Sequence, residues 1–201
     1  MIGGDRGRQE VTTTKIGVVS DTHGYFDPAL RQIFAGVEEI LHAGDVGSPE
    51  VLDELRLIAP VRAVKGNVDS PELELPLSLT CSIGGLGIEM LHILPAAQSE
   101  IEAWARSSSL KPGASARQQA FLQSFEAATR LIIFGHSHQP CLARLGGVVL
   151  FNPGSAGKKR FSLPRCCGRM YLAAASVELT IVSLESYNGI VMEQMSLRLG
   201  E

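Results

Sequence analysis

The chain has 201 residues and a formal net charge of −3, a length that fits one domain with room for a modest insertion. Apolar residues make up 45%, an ordinary share for a protein with a real core. No basic excess or basic stripe stands out, which argues against a non-specific nucleic-acid or membrane-surface binder; no run of about 18 apolar residues occurs, which argues against a transmembrane helix.

Residues 1–10 are polar and glycine-rich, without the apolar stretch of a signal peptide. Residues 1–14 are expected to form a flexible extension ahead of one domain at 15–201. Residues 15–20 (KIGVVS) read as a buried strand, and 27–35 as a helix with Pro28 in its first turn and Gly36 closing it. A second strand is expected at 38–41. Ser48, Pro49 and Glu50 supply a cap, a first-turn proline and an acidic first turn for a helix through 58. A third strand follows at 61–64. Strands alternating with helices of this size point to β-α-β units and parallel pairing.

The second half has strands at 88–92, 131–134 and 148–151, then 170–175, 177–184 and 190–199 in close succession. That end is expected to be antiparallel, with Tyr187, Asn188 and Gly189 as a hairpin turn. The segment 95–130 carries two helical stretches, 99–106 and 114–129, separated by a serine- and proline-bearing joint at 107–113; it is expected as a helical insertion. Trp104 within it reads as a packing residue. The four cysteines, Cys81, Cys141, Cys166 and Cys167, include no C-x-x-C pair. They read as reduced, small hydrophobes, which points to the cytoplasm. The architecture implied is α/β: two packed sheets with helices on their outer faces.

The polar residues fall in a pattern. KIGVVS runs into Asp21 and His23, the second strand into Gly44 and Asp45, the third into Gly66 and Asn67, the strand at 88–92 ends on His92, and 131–134 runs into Gly135, His136 and His138. In α/β sheets, sites form beyond the carboxyl ends of strands, so residues far apart in sequence converge there. Two carboxylates, four imidazoles and one carboxamide suit Mn²⁺, Fe²⁺, Co²⁺, Ni²⁺ or Zn²⁺ better than Ca²⁺ or Mg²⁺. Seven donors are too many for one tetrahedral ion and about right for two ions sharing a carboxylate. Each piece alone has a commoner explanation: Asp21 as a helix cap, Gly44-Asp45 and Gly66-Asn67 as turns, His92 as a satisfied core histidine. The conjunction carries the reading, because four of the five histidines sit in these strand-end motifs. The fifth, His42, reads as a packing or supporting residue.

With these motifs in view, the sequence resembles the calcineurin-like metallophosphoesterase superfamily, whose pattern is D-x-H, G-D, G-N-x-D/E, H and G-H-x-H. Within it the resemblance is to the small YfcE-like phosphodiesterases, on Gly66-Asn67-Val68-Asp69 and on Asn152-Pro153-Gly154-Ser155, and it covers residues 15 to 185. The resemblance implies a four-layer α/β/β/α sandwich with two mixed sheets. It implies two divalent ions, Mn²⁺ foremost, with Asp21, His23 and His138 on one, Asn67, His92 and His136 on the other, and Asp45 between them. It further implies a metal-bridging hydroxide that attacks the phosphorus of a small phosphate ester.

The sequence departs from the pattern in three places. Many superfamily phosphatases carry a leaving-group-protonating histidine where Val68 stands; Val68 has no proton to give, so either esters with good leaving groups are favoured or water acts as the acid, and Asp69 is left a structural role. His92 is followed by Ile93 and Leu94 rather than a second H-G-H histidine, and the 95–130 segment is long for the family. Asn152 and Ser155 are expected to shape a turn near the site, and Lys158, Lys159 and Arg160 a solvated loop. A different class of function is also open: some proteins of this fold, a retromer-coat subunit among them, act as protein-binding scaffolds. Nuclease activity sits poorly with the charge. A homo-oligomer is open through edge strands or through 95–130.

Overall fold

The computed structural model describes residues 13–106, 115–160, 162–185 and 189–199. The extension up to residue 12, the joint at 107–113, and Tyr187 and Asn188 of the expected turn lie outside these residues. The first half alternates as its pattern indicates: β1 (Thr14–Val19), α1 (Ala29–Ile33), β2 (Glu39–His42), α2 (Pro49–Arg56) and β3 (Val61–Ala63). The three strands pair in parallel. α1 is shorter than the expected 27–35 because Asp27 lies before it, its Oδ1 accepting the Ala29 N–H at 2.8 Å, a capping role rather than a helical one. α2 begins where its sequence signals, on an extended Ser48 followed by Pro49, although the Ser48 side chain makes no capping hydrogen bond.

The second half holds β4 (Ser78–Ile83), β5 (Leu86–Leu91), α3 (Gln98–Arg106), α4 (Ala116–Gln123), β6 (Thr129–Ile133), β7 (Cys141–Leu145), β8 (Val148–Asn152), β9 (Cys166–Ala173), β10 (Ser176–Ser183) and β11 (Val191–Arg198). The helix expected through 129 stops at Gln123. The Ser124 hydroxyl donates back to the Phe121 carbonyl at 2.6 Å, and Glu89 on β5 accepts the Glu126 N–H at 2.6 Å and the Thr129 hydroxyl. Those bonds turn the chain out of the helix and into β6.

Two mixed sheets result. One runs β11-β10-β9-β1-β2-β3, the other β4-β5-β6-β8-β7. β9, β10 and β11 form the expected antiparallel end, and β5, β6 and β8 are parallel. The sheets face each other across Ile16, Val18 and Leu41 on one side and Ile88, Met90 and Leu131 on the other. α1 and α2 cover the outer face of the first sheet through Leu30, Phe34, Val51 and Leu55. α3 and α4 cover the second through Ile101 and Phe121, with Trp104 packed beside them. Four layers, α/β/β/α, follow directly from strands that are apolar on both faces. All four cysteines are free, and Cys166 and Cys167 are buried in the core. Among the described residues no helix is long and apolar enough to cross a membrane.

Candidate metal centre

Five parallel-running strands, β1, β2, β3, β5 and β6, end at one edge of the sandwich, and the loop after each carries the predicted residues. Backbone hydrogen bonds lock these loops together. Asp21 N–H donates to Gly44 O at 3.0 Å, His23 N–H to Asp45 O at 2.9 Å, and Gly135 N–H to His92 O at 3.1 Å. Bonds from His92 Nδ1 to Ala43 O at 2.8 Å and from the His136 N–H to Asp21 Oδ2 at 3.1 Å then join one sheet to the other at the site itself.

The structure brings all seven predicted residues together. His23 Nε2 and His138 Nε2 face each other at 3.1 Å, and Asp21 Oδ1 lies 3.3 Å from His138 Nε2. His92 Nε2 is 3.2 Å from Asp45 Oδ2 and 3.1 Å from Asn67 Oδ1, and His136 Nδ1 is 2.9 Å from that same Asn67 oxygen. Asp45 Oδ2 also stands 3.9 Å from His23 Nε2, so it reaches toward both groups. Asp21, His23 and His138 form one cluster and Asp21, Asp45 and His92 another, with the donor atoms of each within 4.8 Å of one another. Asp21, Asp45 and His92 are buried, whereas Asn67 and His136 are exposed, so the centre opens to solvent on that side.

The donor chemistry fits cations. His92 Nδ1–H donates to the Ala43 carbonyl at 2.8 Å, which fixes the ring and leaves the Nε2 lone pair pointing at the oxygens of Asp45 and Asn67. Three electron-pair donors meeting at hydrogen-bond distance call for a proton or a metal ion. Burial works to lower the His92 pKa, yet the Asp45 hydrogen bond and the Asp21 charge outweigh it and raise it. Burial pushes His138 down to about 4, with His23 and Arg160 adding to the effect. His23 is lowered by burial and by Arg160. Both rings are therefore neutral, with a free lone pair, at neutral pH. Asp45 is lowered despite its burial, because His92 and the Val68 N–H hold its charged form. Burial raises Asp21 to about 6 against the pull of Ser20 and His92, as expected where desolvation of the carboxylate outweighs its partners.

Backbone geometry points the same way. Asp21, His23, Asp45, His136 and His138 all have positive φ, between 47° and 69°; Glu74 is the one further non-glycine residue like this among those described. Such conformations are strained for side chains with a Cβ and cluster at functional sites. Two glycines leave room for the carboxylates. A Cβ on Gly66 would lie 2.0 Å from Asp45 Oδ1, and one on Gly135 would lie 2.0 Å from Ser20 Oγ and 2.8 Å from Asp21 Oδ2.

This combination of donors, strain and strand-end placement has a counterpart in known proteins. The Calcineurin-like phosphoesterase superfamily domain matches residues 14–174. The chain belongs to that superfamily. It is 34% identical over 155 residues to a probable metallophosphoesterase of Methanothermobacter thermautotrophicus, covering 74% of this chain and 81% of that protein. Solved structures show the same fold. Vacuolar protein sorting 29 from Cryptosporidium parvum superposes with a TM-score of 0.68 at 20% identity, covering 93% of this chain and 99% of that one. The phosphoesterase YfcE from Escherichia coli does so at 0.61 and 20%, covering 90% and 98%. As a calcineurin-like phosphoesterase domain, the chain is expected to use divalent metal ions, and the residues present fit them.

Several supporting residues carry no motif of their own. The Ser20 hydroxyl donates to Asp21 Oδ2 at 2.7 Å, and the His136 N–H donates to both Asp21 oxygens at 3.1 and 3.2 Å. The Thr22 hydroxyl donates to Val46 O at 3.0 Å and meets His42 Nε2 at 2.9 Å. His42 is fully buried, and its Nδ1 accepts the Gly44 N–H at 3.2 Å, so it supports the Asp45 loop as expected. Asp69 is likewise structural: it accepts from Gly47 N–H at 2.7 Å and from Gly66 N–H at 2.8 Å. Asn152 donates to Gly135 O at 2.9 Å and Ser155 to Asp21 O at 2.9 Å. In the basic loop, Lys159 pairs with Glu185 at 2.9 Å and Lys158 stands 6.0 Å from the Tyr25 ring centre. Ser20 and Thr22 flank Asp21 in sequence, which is the one signal that marks them beforehand.

Proposed function

We propose that this protein is a cytoplasmic phosphodiesterase of small phosphate esters that works with two divalent ions, Mn²⁺ foremost. In this reading Asp21, His23 and His138 hold one ion, Asn67, His92 and His136 the other, and Asp45 is shared. The observation that carries it is the convergence of seven lone-pair donors, five of them on strained backbone, at the rim where two sheets meet. When bound, the ions supply an activated water and neutralise charge gathering on the phosphoryl oxygens.

The chain's own residues prepare that chemistry. Ala43 O orients His92, Ser20 and the His136 N–H hold Asp21 ionised, and Asp69 fixes the loops bearing Asp45 and Asn67. Val68, next to Asn67, offers the departing oxygen no proton. Esters whose leaving groups depart as stable anions are favoured accordingly, which supports diesters of acidic alcohols or phenols over simple alkyl monoesters. The modest net charge supports small substrates over nucleic acid.

Hydrolysis of bis(p-nitrophenyl) phosphate by the Mn²⁺-loaded protein tests the reading. The wild type is expected to turn over, and Asp45→Ala and His136→Ala to lose at least about a hundredfold. No turnover, or mutants equal to the wild type, overturns it. The fold shared with vacuolar protein sorting 29 supports a second reading, a protein-binding scaffold. The complete set of donors favours the enzyme.

A further inference from the structure

Exposed large apolar side chains are few among the described residues: Leu57, Val68, Leu77, Ile93, Ile190, Val191 and Met192. Two of them, Leu77 and Ile93, gather on one flank of the metal centre, and Val68 follows a donor in sequence. The donor before Val68 is Asn67, and Ile93 directly follows the donor His92. Leu77 and Ile93, 76% and 48% exposed, line the same open groove of about 360 Å³, whose wall also includes Leu91, Lys65, Asn67 and His92. The Lys65 N–H donates to Pro76 O at 2.7 Å, which pins the loop bearing Leu77 against the loop bearing Asn67. The groove is thus built from the same two loops as the donors and is continuous with them.

Leaving Leu77 and Ile93 in water has no benefit for the folded chain alone, and apolar surface beside convergent polar groups is the usual composition of a ligand site. A volume near 150 Å³ already accepts a benzene ring, so this groove has room for one with space to spare. We infer that the groove is the subsite for an apolar, ring-sized ester arm of the substrate, attached to a phosphoryl group that sits at the metal centre. The inference rests on the phosphoesterase reading and narrows it to phosphate esters with aryl-like arms. It also agrees with Val68: an aryl oxide departs without a proton donor where an alkoxide does not.

The test uses two phosphonates that share the tetrahedral anionic head and a C–P bond that hydrolysis leaves intact. Phenylphosphonate and methylphosphonate are titrated calorimetrically into the Mn²⁺-loaded full chain. Phenylphosphonate is expected to bind about ten- to a hundredfold tighter, the range for one ring-sized apolar contact. Leu77→Ser and Ile93→Ser each reduce that ratio by roughly threefold or more, and together bring it near one. Both side chains are exposed, Leu77 more than Ile93, so folding survives. Leu57→Ser, just past the C-terminal end of α2 and outside the groove, keeps the wild-type ratio. Equal binding of the two phosphonates, or a ratio that survives the double substitution, overturns the groove and leaves the metal-dependent phosphoesterase standing. Binding of neither by metal-loaded protein overturns both.

Discussion

Gly135 tests how tightly the fold is built around Asp21. In Gly135→Ala the new methyl would lie 2.0 Å from Ser20 Oγ, 2.8 Å from Asp21 Oδ2 and 3.0 Å from Ala43 O. The serine hydroxyl must move, and its 2.7 Å hydrogen bond to the buried carboxylate breaks. Overpacking costs about 1–3 kcal/mol, and a lost hydrogen bond to a charged group about 1.5–3 kcal/mol, for a total of roughly 2.5–6 kcal/mol. Ser20→Ala removes only the hydrogen bond and is expected to cost about 1.5–3 kcal/mol. The double variant loses that bond once and frees the space the methyl needs. The two losses are therefore expected to fall short of additivity by about 2.5–6 kcal/mol. Urea denaturation in EDTA measures all three. A Gly135→Ala loss under about 0.5 kcal/mol, or additivity within that margin, would refute the close packing proposed around Asp21.

Ions that bind only the folded chain at a hundredfold excess over Kd add about 2.7 kcal/mol, which for a chain of this size raises Tm by roughly 5–10 °C. Scanning calorimetry with Mn²⁺ against EDTA is expected to show that rise in the wild type and not in Asp45→Ala; a flat wild-type Tm would sink the metal centre. Asp69→Ala strands the Gly47 and Gly66 N–H groups and is expected to cost about 2–4 kcal/mol in urea, with Asp69→Asn, which keeps one acceptor oxygen, recovering about half. Equal losses in the two variants would remove Asp69's double role. The pH dependence turns on Asp21. Its folded pKa of about 6 lies above the ordinary 3.8, so the folded, ion-free chain holds a proton there that the unfolded chain has released. That contribution to stability is complete below about pH 3.8 and is lost as pH rises through about 6. Metal binding needs the carboxylate and so runs the other way: Mn²⁺ affinity is expected to weaken below pH 6, by up to about tenfold per pH unit. Titrations at pH 7.5, 6 and 5 with one Kd throughout would contradict it.

Much of this was legible in the sequence because the informative residues sit at strand ends. A buried run such as residues 15–20 announces a strand, and a carboxylate or imidazole beyond one strand has an ordinary explanation, but such residues beyond five strands in one chain do not. The layers were legible for a similar reason: strands apolar on both faces need cover on both sides. What escaped was edge structure. β4 and β7 border the second sheet, and β4, with Ser78, Thr80 and Ser82 alternating with half-buried neighbours, lacks the apolar run of a central strand. The supporting hydroxyls of Ser20 and Thr22 escaped because their partners lie more than twenty residues away or depend on a side-chain rotamer. The groove beside His92 escaped because Leu77 becomes a wall only when Lys65 bonds to Pro76 across ten residues of loop, a relation no local pattern records.

The strain at the centre bears on the choice between enzyme and scaffold. Five donors in the left-handed region cost on the order of 1 kcal/mol each or more, a large fraction of the 5–15 kcal/mol that holds a typical domain folded. Burying two carboxylates at the same place adds to that. The fold bears these costs because the loops are over-determined: Asp21 and His23 are held by Gly44 and Asp45, and Gly135 by His92. A surface that only binds another protein has no need of strained lone-pair donors. A buried ion holding loops in place would account for the donors alone. It would not account for the exposed Asn67 and His136, or for an apolar groove opening beside them. Donors left accessible, next to a surface suited to an uncharged group, are what a centre needs when something other than water must reach it.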